Sequence, residues 1–438
     1  MTMNGTNKKQ RVRPAARVGG ALGAATLACA ASGALASGFQ IQEQSASGLG
    51  VAYAGQAAAL HDASTVFWNP AGQVLMPMGV HGAAAGAFIV PSSRFRNDGG
   101  STFGTLGEGG QGGERAFVPA LYGSWRLHPD WAVGLAINAP FGLGTEWDAT
   151  WAGQFHAVRS ELQTLNLNPT VSWRIADRIS IGAGISYQRL SAELTNRAVL
   201  APPFPASVVG TGRIEGDDWG WGWNLGAMMA LGTQTQLGVT YRSRIRYTLE
   251  GDLTFQGFPA AVPARRVAAD VDLPETLSIG VSHRFDPSLR MLADWTWTGW
   301  DGIGELRVVD RASGATVTNT ALGFRNSWRA GLGLEYAVNK PWLLRAGLAY
   351  DTTPVRDEYR TPRLPDTDRV WLSIGARYAP GPTSRWWLDV GYTHVFMSDG
   401  PSNLPYSGAS AAEAARGALR GTYRNSVDIL AAQVGVRF

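Results

Sequence analysis

A period of two recurs along most of this chain and limits what it can fold into. Ile179, Ile181, Ala183, Ile185 and Tyr187 point one way, and Ser180, Gly182, Gly184, Ser186 and Gln188 the other. The same alternation runs through Trp328–Tyr336, Leu344–Asp351 and Val370–Tyr378. Successive side chains of an extended strand face opposite sides, so the pattern means strands with one apolar face and one polar or small face. A soluble sandwich would alternate too. Two details favour a membrane barrel instead. The polar faces carry Arg, Glu or Asp, which a wet interior tolerates, and the apolar faces often end in Trp or Tyr, as interfacial girdles do. The segments also approach the ~9–11 residues that a tilted spanning strand needs.

Connections sharpen the reading. Strands are expected to begin near residues 79, 115, 131, 160, 178, 219, 234, 275, 290, 325, 341, 368, 384 and 422, about fourteen in all. Short links rich in turn residues, such as His128-Pro129-Asp130, Gly232-Thr233 and Asn339-Lys340-Pro341, alternate with long ones at 92–114, 196–218, 251–274, 300–324, 352–367 and 400–421. Outer-membrane barrels have short periplasmic turns and long external loops. Closure follows from physics, since a sheet in lipid cannot leave an edge unpaired. The final strand places Leu430, Ala432, Val434, Val436 and Phe438 on one face and ends on an aromatic residue. The fold class is therefore all-β, a transmembrane antiparallel barrel over residues 79–438.

The N-terminus sets the compartment. Lys8, Lys9, Arg11, Arg13 and Arg17 precede a stretch of small and apolar residues from about Val18 to Leu35, closed by Ala34-Leu35-Ala36. This is a secretory leader over residues 1–36, cut after Ala36. Those residues hold five basic groups and no acidic ones, which leaves 33 basic and 34 acidic groups and a net charge of −1. The basic isoelectric point is thus no argument for nucleic acid. The lone cysteine, Cys29, leaves with the leader, so no disulfide, thiolate nucleophile or cysteine metal site is expected. Lys340 is the one lysine after the leader. A preference for Arg suits bidentate contact with lipopolysaccharide phosphates, although a GC-rich genome gives the same bias.

Residues 37–78 differ from the alternating strands C-terminal to them. Ala, Gly, Ser and Gln dominate, without a sustained period of two. Leu49, Val51, Tyr53, Leu60, Val66, Phe67 and Trp68 favour a packed element, and its position suggests a small hatch inside the barrel. Phosphate loops, zinc spacings and nucleophile elbows are absent, and no cofactor is expected. Gly331 and Gly333 read as small lumen-facing or bend positions, and His156 before Ser160 as structural.

Ser37-Gly38-Phe39-Gln40, Ser47-Gly48-Leu49-Gly50 and Asn69-Pro70-Ala71 open a series of motifs. It continues through Phe141-Gly142-Leu143-Gly144-Thr145-Glu146-Trp147, Leu165–Pro169, Trp219–Gly226, Thr240-Tyr241-Arg242-Ser243, Asp351–Val355, Arg360-Thr361-Pro362 and Leu364–Arg369. In that order they resemble the FadL-type outer-membrane transporters (OMPP1/FadL/TodX) over essentially the whole mature chain. The resemblance implies a monomeric, fourteen-stranded barrel plugged by a hatch. Its ligand is a long-chain fatty acid or another hydrophobic small molecule, which passes from an external groove to a lumen site and leaves sideways into the outer membrane. A lateral gap would fall at Ala139, Pro140, Phe141 and Gly142, where proline interrupts strand three. Asn69, Pro70 and Ala71 would form the hatch turn facing that kink. Arg325 matches one of the basic residues expected to meet a carboxylate; the second position falls at Asn196-Arg197, with Asn at the strict match and Arg197 next to it.

Three functions compete at this point. The first is fatty-acid uptake. The second is uptake of aromatic or other hydrocarbons, in which Arg325 has no carboxylate to meet. The third is an outer-membrane lipid hydrolase, which needs a Ser-His pair on the wall.

Overall fold

In the computed structural model the described residues are 37–199, 208–259, 261–381, 384–405 and 416–438. The leader expected over residues 1–36 lies outside them. Fourteen strands form a closed antiparallel barrel. Strand one (Gly79–Asn97) pairs on one side with strand two (Ala116–His128) and on the other with strand fourteen (Leu419–Arg437), which closes the sheet. Between them run strand three (Trp131–Asn138, resuming at Gly142–Glu146), strand four (Arg159–Ala176), strand five (Ile179–Val199) and strand six (Val209–Leu231). Strands seven and eight each come in two pieces, Thr235–Arg242 with Ile245–Gln256 and Arg265–Leu273 with Thr276–Arg284. Strand nine is Leu289–Thr298, ten is Ser327–Ala337, eleven is Trp342–Asp351, twelve is Arg369–Tyr378 and thirteen is Trp386–Met397. No helix among the described residues is long and apolar enough to cross a membrane.

The outer surface carries the apolar face. Leu332, Leu334, Leu344, Leu348, Leu372 and Ile374 are exposed in a band. Aromatic residues flank it at both ends: Trp131 stacks on Trp173 and Trp342 meets Tyr378 near the short turns, while Trp328 meets Tyr350 near the long loops. This is the apolar belt with two girdles that lipid requires.

The wall is taller than the alternation indicated. The sixth strand begins at 209 rather than 219. Residues 305–310 and 316–321, read as loop, form a hairpin that pairs with the outer part of strand eight. Residues 400–404 pair with strand fourteen. These stretches stand clear of the lipid band and need no apolar outer face, so period two gives no sign of them.

Residues 37–78 lie inside the barrel, nearly all buried. They contain two one-turn helices, Ala46–Leu49 and Thr65–Trp68, and a 3-10 helix, Pro70–Leu75. Wall glycines make room for them. A Cβ at Gly238 would overlap the Ala57 carbonyl, one at Gly347 would overlap Val51, and one at Gly333 would lie 2.9 Å from the Val51 side chain. Gly182, Gly226 and Gly391 likewise face Pro70, Asn69 and Ala46. Bare backbone at these positions allows close approach. Ala52 and Tyr53 both adopt positive φ (50° and 56°), a strained state for non-glycine residues. Packing holds them there. Tyr53 donates from its backbone N to Gly48 O at 2.8 Å and from its hydroxyl to Ser45 O at 2.9 Å, and Arg329 donates to Ala52 O.

Candidate functional site

Strand three breaks at Pro140, which has no N–H to give the ladder. Its pairing with strand four runs to Asn138↔Asn166 and resumes at Gly142↔Gln163, so three residues stand opposite two. On the other side, the ladder with strand two reaches only Leu121↔Ile137. Residues 116–120 of strand two therefore have no ladder partner on strand three. The inner segment covers the break. Ile41 N donates to Pro140 O at 2.8 Å, and Gly142 N donates to Phe39 O at 2.9 Å. Thr164 fills in for the lost ladder, its hydroxyl bonding both Phe141 N (2.9 Å) and Phe141 O (2.6 Å).

Asn69-Pro70-Ala71 sits elsewhere. The structure does not aim it at the kink. Asn69 caps the 3-10 helix by accepting from Ala71 N at 3.1 Å, with Pro70 at the first helical position. Its amide donates to Ala57 O at 2.6 Å and to Ala227 O of strand six at 3.2 Å. Ser180 donates to Ala71 O at 2.9 Å. The motif bolts the inner segment to strands five and six, because a fully buried amide seeks the nearest open carbonyls. The kink is faced instead by Phe39–Ile41.

Above the kink, towards the long loops, lies an apolar cavity of about 360 Å³, lined by Phe39, Leu143, Leu249, Val271, Ile303 and Leu306 among others. A second cavity of about 620 Å³ adjoins it on the loop side and shares Leu194, Ile214 and Arg363. Below the first cavity four aromatic rings meet. Phe39 lies 4.8 Å from Trp300 and 6.1 Å from Phe141, and Trp300 lies 6.0 Å from Phe324. Beyond them a small space of about 40 Å³ is bounded by Ile41, Trp68, Pro140 and Phe141.

The expected cations divide. Arg325 is not in the cavity. Its side chain is 51% exposed and turns to Thr353 O (3.2 Å) and Asp368 (3.9 Å). Phe324 takes the inward position, so its neighbour points out. Arg197 lines the outer cavity but is engaged with Thr211 (2.8 Å) and Val209 O (2.9 Å). Arg363, which falls between two of the family motifs and belongs to neither, lines both cavities. It donates to Ser160 at 3.0 Å and more weakly to Arg159 O and Asn196. Among the described residues no carboxylate lies within ion-pair distance of it. Burial and the nearby Arg416 push its guanidinium down to about 9, so it remains a cation at neutral pH. A cation between flanking motifs carries no periodicity, and only the fold shows which way it points.

The ring of His156 bonds Gly417 O at 3.0 Å, and burial pushes it down to about 4. Among the described residues no group of three or more His, Cys, Asp or Glu is placed to hold a metal.

The sequence profile of the outer membrane protein transport family (OMPP1/FadL/TodX) matches residues 27–438. The chain belongs to this family. It is 30% identical over 411 residues to a long-chain fatty acid transport protein of Escherichia coli O6:H1, covering 85% of this chain and 91% of the relative. It is also 30% identical to a 47 kDa outer membrane protein of Pasteurella multocida, covering 85% and 90%. A crystal structure of a Pseudomonas aeruginosa FadL homologue superposes with a TM-score of 0.83 at 25% identity, over 92% of this chain and all of that one. The Ralstonia pickettii toluene transporter TbuX shares the fold, with a TM-score of 0.67 at 19% identity over 90% of this chain and 99% of its own. The protein is thus an outer-membrane transporter of hydrophobic compounds, with its short turns on the periplasmic side.

Proposed function

We propose that this transporter admits long-chain fatty acids, and that Arg363 meets their carboxylate. The observation that carries this reading is the apolar cavity lined by Arg363, a guanidinium with no carboxylate within ion-pair distance among the described residues, although Glu161, Glu215, Asp270, Asp272 and Glu305 line the same space. An acyl chain gains about 0.8 kcal/mol for each CH₂ removed from water. Its carboxylate, once buried, costs several kcal/mol unless paired. Arg363 supplies that partner without first breaking an ion pair of its own. The inner segment, residues 37–78, acts as the hatch. The ligand displaces the ring of Phe39 from Phe141 and Trp300, enters the small space beside Pro140, and leaves through the unpaired stretch between strands two and three. No energy coupling is required, since lipid lies at the end of the path.

Binding of oleate and of toluene to detergent-extracted protein tests this. Arg363→Ala is expected to weaken oleate binding about tenfold, equal to ~1.4 kcal/mol, and to leave toluene unchanged. Arg363→Lys retains part of the affinity, and Arg325→Ala is a control without effect. Equal oleate binding by wild type and Arg363→Ala would sink the carboxylate assignment. The alternative, aromatic hydrocarbons, is favoured by the Phe39, Phe141, Trp300 and Phe324 rings. Toluene binding tighter than oleate would establish it.

A further inference from the structure

The start of the inner segment ends in an unbalanced cluster of charge. Asp351, Asp366 and Arg369 are each at most 2% exposed. Arg369 donates to both oxygens of Asp366 (2.8 and 2.9 Å) and lies 3.5 Å from Asp351. Glu43 faces the same guanidinium and is pushed up to about 7 by burial. Three carboxyls therefore share Arg369, and the further cation acting on Asp351, Arg329, is already paired with Asp294 at 3.0 Å. Asp351 Oδ2 is buried and accepts no hydrogen bond. Buried carboxylates are normally matched in number by cations and donors, so a positive group is missing.

Chain direction supplies one. Ser37 is buried here, its hydroxyl 3.1 Å from Ser327 and bonded to Thr352 O next to Asp351. The following residue, Gly38, donates its N–H to Asp366 at 3.0 Å. Ser37 is also the residue that leader removal would leave first. We propose that Asp351 and Asp366 receive the α-ammonium group created on Ser37 by hydrolysis of the Ala36–Ser37 peptide bond. That hydrolysis adds one water and gives a carboxylate on Ala36 and an ammonium on Ser37. An uncleaved chain has a neutral amide at this point and leaves the cluster short of one charge. Cleavage thus completes the anchor. Phe39, two residues on, is held against Trp300 and Phe141 by the same end of the chain. The α-ammonium is in this sense a positioning group for the aromatic seal.

The test exploits the shortage of amines. After the leader the only lysine is Lys340, which is exposed in a short turn. Processed protein is extracted from outer membranes, its N-terminus fixed by intact mass, and acetylated with an N-hydroxysuccinimide ester at pH 8. An ordinary α-amine (pKa about 8) is roughly half unprotonated there, and a lysine well under about 1%, so a free N-terminus reacts first by about a hundredfold. The expected result is the reverse order, with Lys340 ahead of Ser37. Adding one glycine before Ser37, which leaves the wall untouched, is expected to restore the usual order. Asp351→Asn with Asp366→Asn is expected to speed the Ser37 reaction at least tenfold. Labelling of wild-type Ser37 ahead of Lys340 overturns the proposal, as does a mature chain that starts elsewhere. An unchanged rate in the Asn variant overturns it too, since burial alone would then explain the protection. None of these outcomes depends on which ligand the protein carries.

Discussion

At the periplasmic end of the lumen, Arg345 lies between Glu335 (2.9 Å) and Asp389 (2.5 Å). Arg377 bridges Asp389 (2.8 Å) and Asp62 of the inner segment (3.5 Å), and His61 faces Glu335 at 3.2 Å. At the external end the wall leaves an apolar cavity whose lining includes Arg363 and, around it, Glu161, Glu215, Asp270, Asp272 and Glu305. The periplasmic half is saturated, each buried charge facing another. The external half has capacity to spare. Buried ion pairs of this kind are weak evidence for net stability, yet breaking one is costly because the partner is stranded. The periplasmic half is therefore built to stay shut, and the external half to change occupant.

The comparison can be broken most forcefully from the saturated half. Arg345→Ala removes the cation shared by Glu335 and Asp389, leaving Glu335 to Arg290 and His61 and Asp389 to Arg377, and should cost up to about 3–5 kcal/mol. Denaturant unfolding of the detergent-extracted barrel, followed by its heat-modifiable mobility, measures this. A loss below about 1 kcal/mol would mean that water reaches the cluster and that this half is not sealed. Next in size is Gly238→Val. Its side chain cannot share space with the Ala57 carbonyl, and overpacking costs about 1–3 kcal/mol. The effect should be local, with faster hydrogen exchange over residues 46–58 and an unchanged wall. Phe39→Ala acts on the boundary between the halves. Removal of one ring from the seal should raise uptake of a hydrophobic fluorophore by roughly threefold, with stability losses at or below the ~3–5 kcal/mol range for large aromatic deletions.

The smallest effect concerns pH. Burial lowers His156 to about 4 from an ordinary value near 6.5. The unfolded loop then binds more protons than the folded one between these values. Stability from this group is fully present above about pH 6.5 and is lost as pH falls towards 4. Hydrogen exchange of residues 151–157 should accelerate over that window in wild type and not in His156→Gln, while the periplasmic half stays protected.

The two halves also differed in how far sequence disclosed them. Wall and compartment were legible because lipid imposes one chemistry on alternate residues of every spanning strand. Pro140 was legible because proline has one meaning inside a ladder. The partners of that break were not. Asn69-Pro70-Ala71 looked like the obvious candidate, but the segment folds back so that Phe39–Ile41 arrive first. Arg325 and Arg363 are both loop arginines, and nothing local tells them apart. Phe324 occupies the inward position beside Arg325, and no comparable residue displaces Arg363. Glycine was abundant in the sequence, but its use as a seat for the inner segment needs the facing atoms.

The glycine seats carry a consequence for assembly. The inner segment runs directly into strand one, and strand one forms one side of the seam, paired with strand fourteen from Gly421 to Arg437. Its cargo touches strands on nearly every side of the circle. A closed cylinder offers no route by which forty residues could thread to those seats past the buried charges. The sheet must therefore curl around the segment while its edges are still apart, and zipping of the seam comes last. The barrel is then cast around its contents, and a chain whose first residues are late or misplaced would close on an empty, glycine-lined bore.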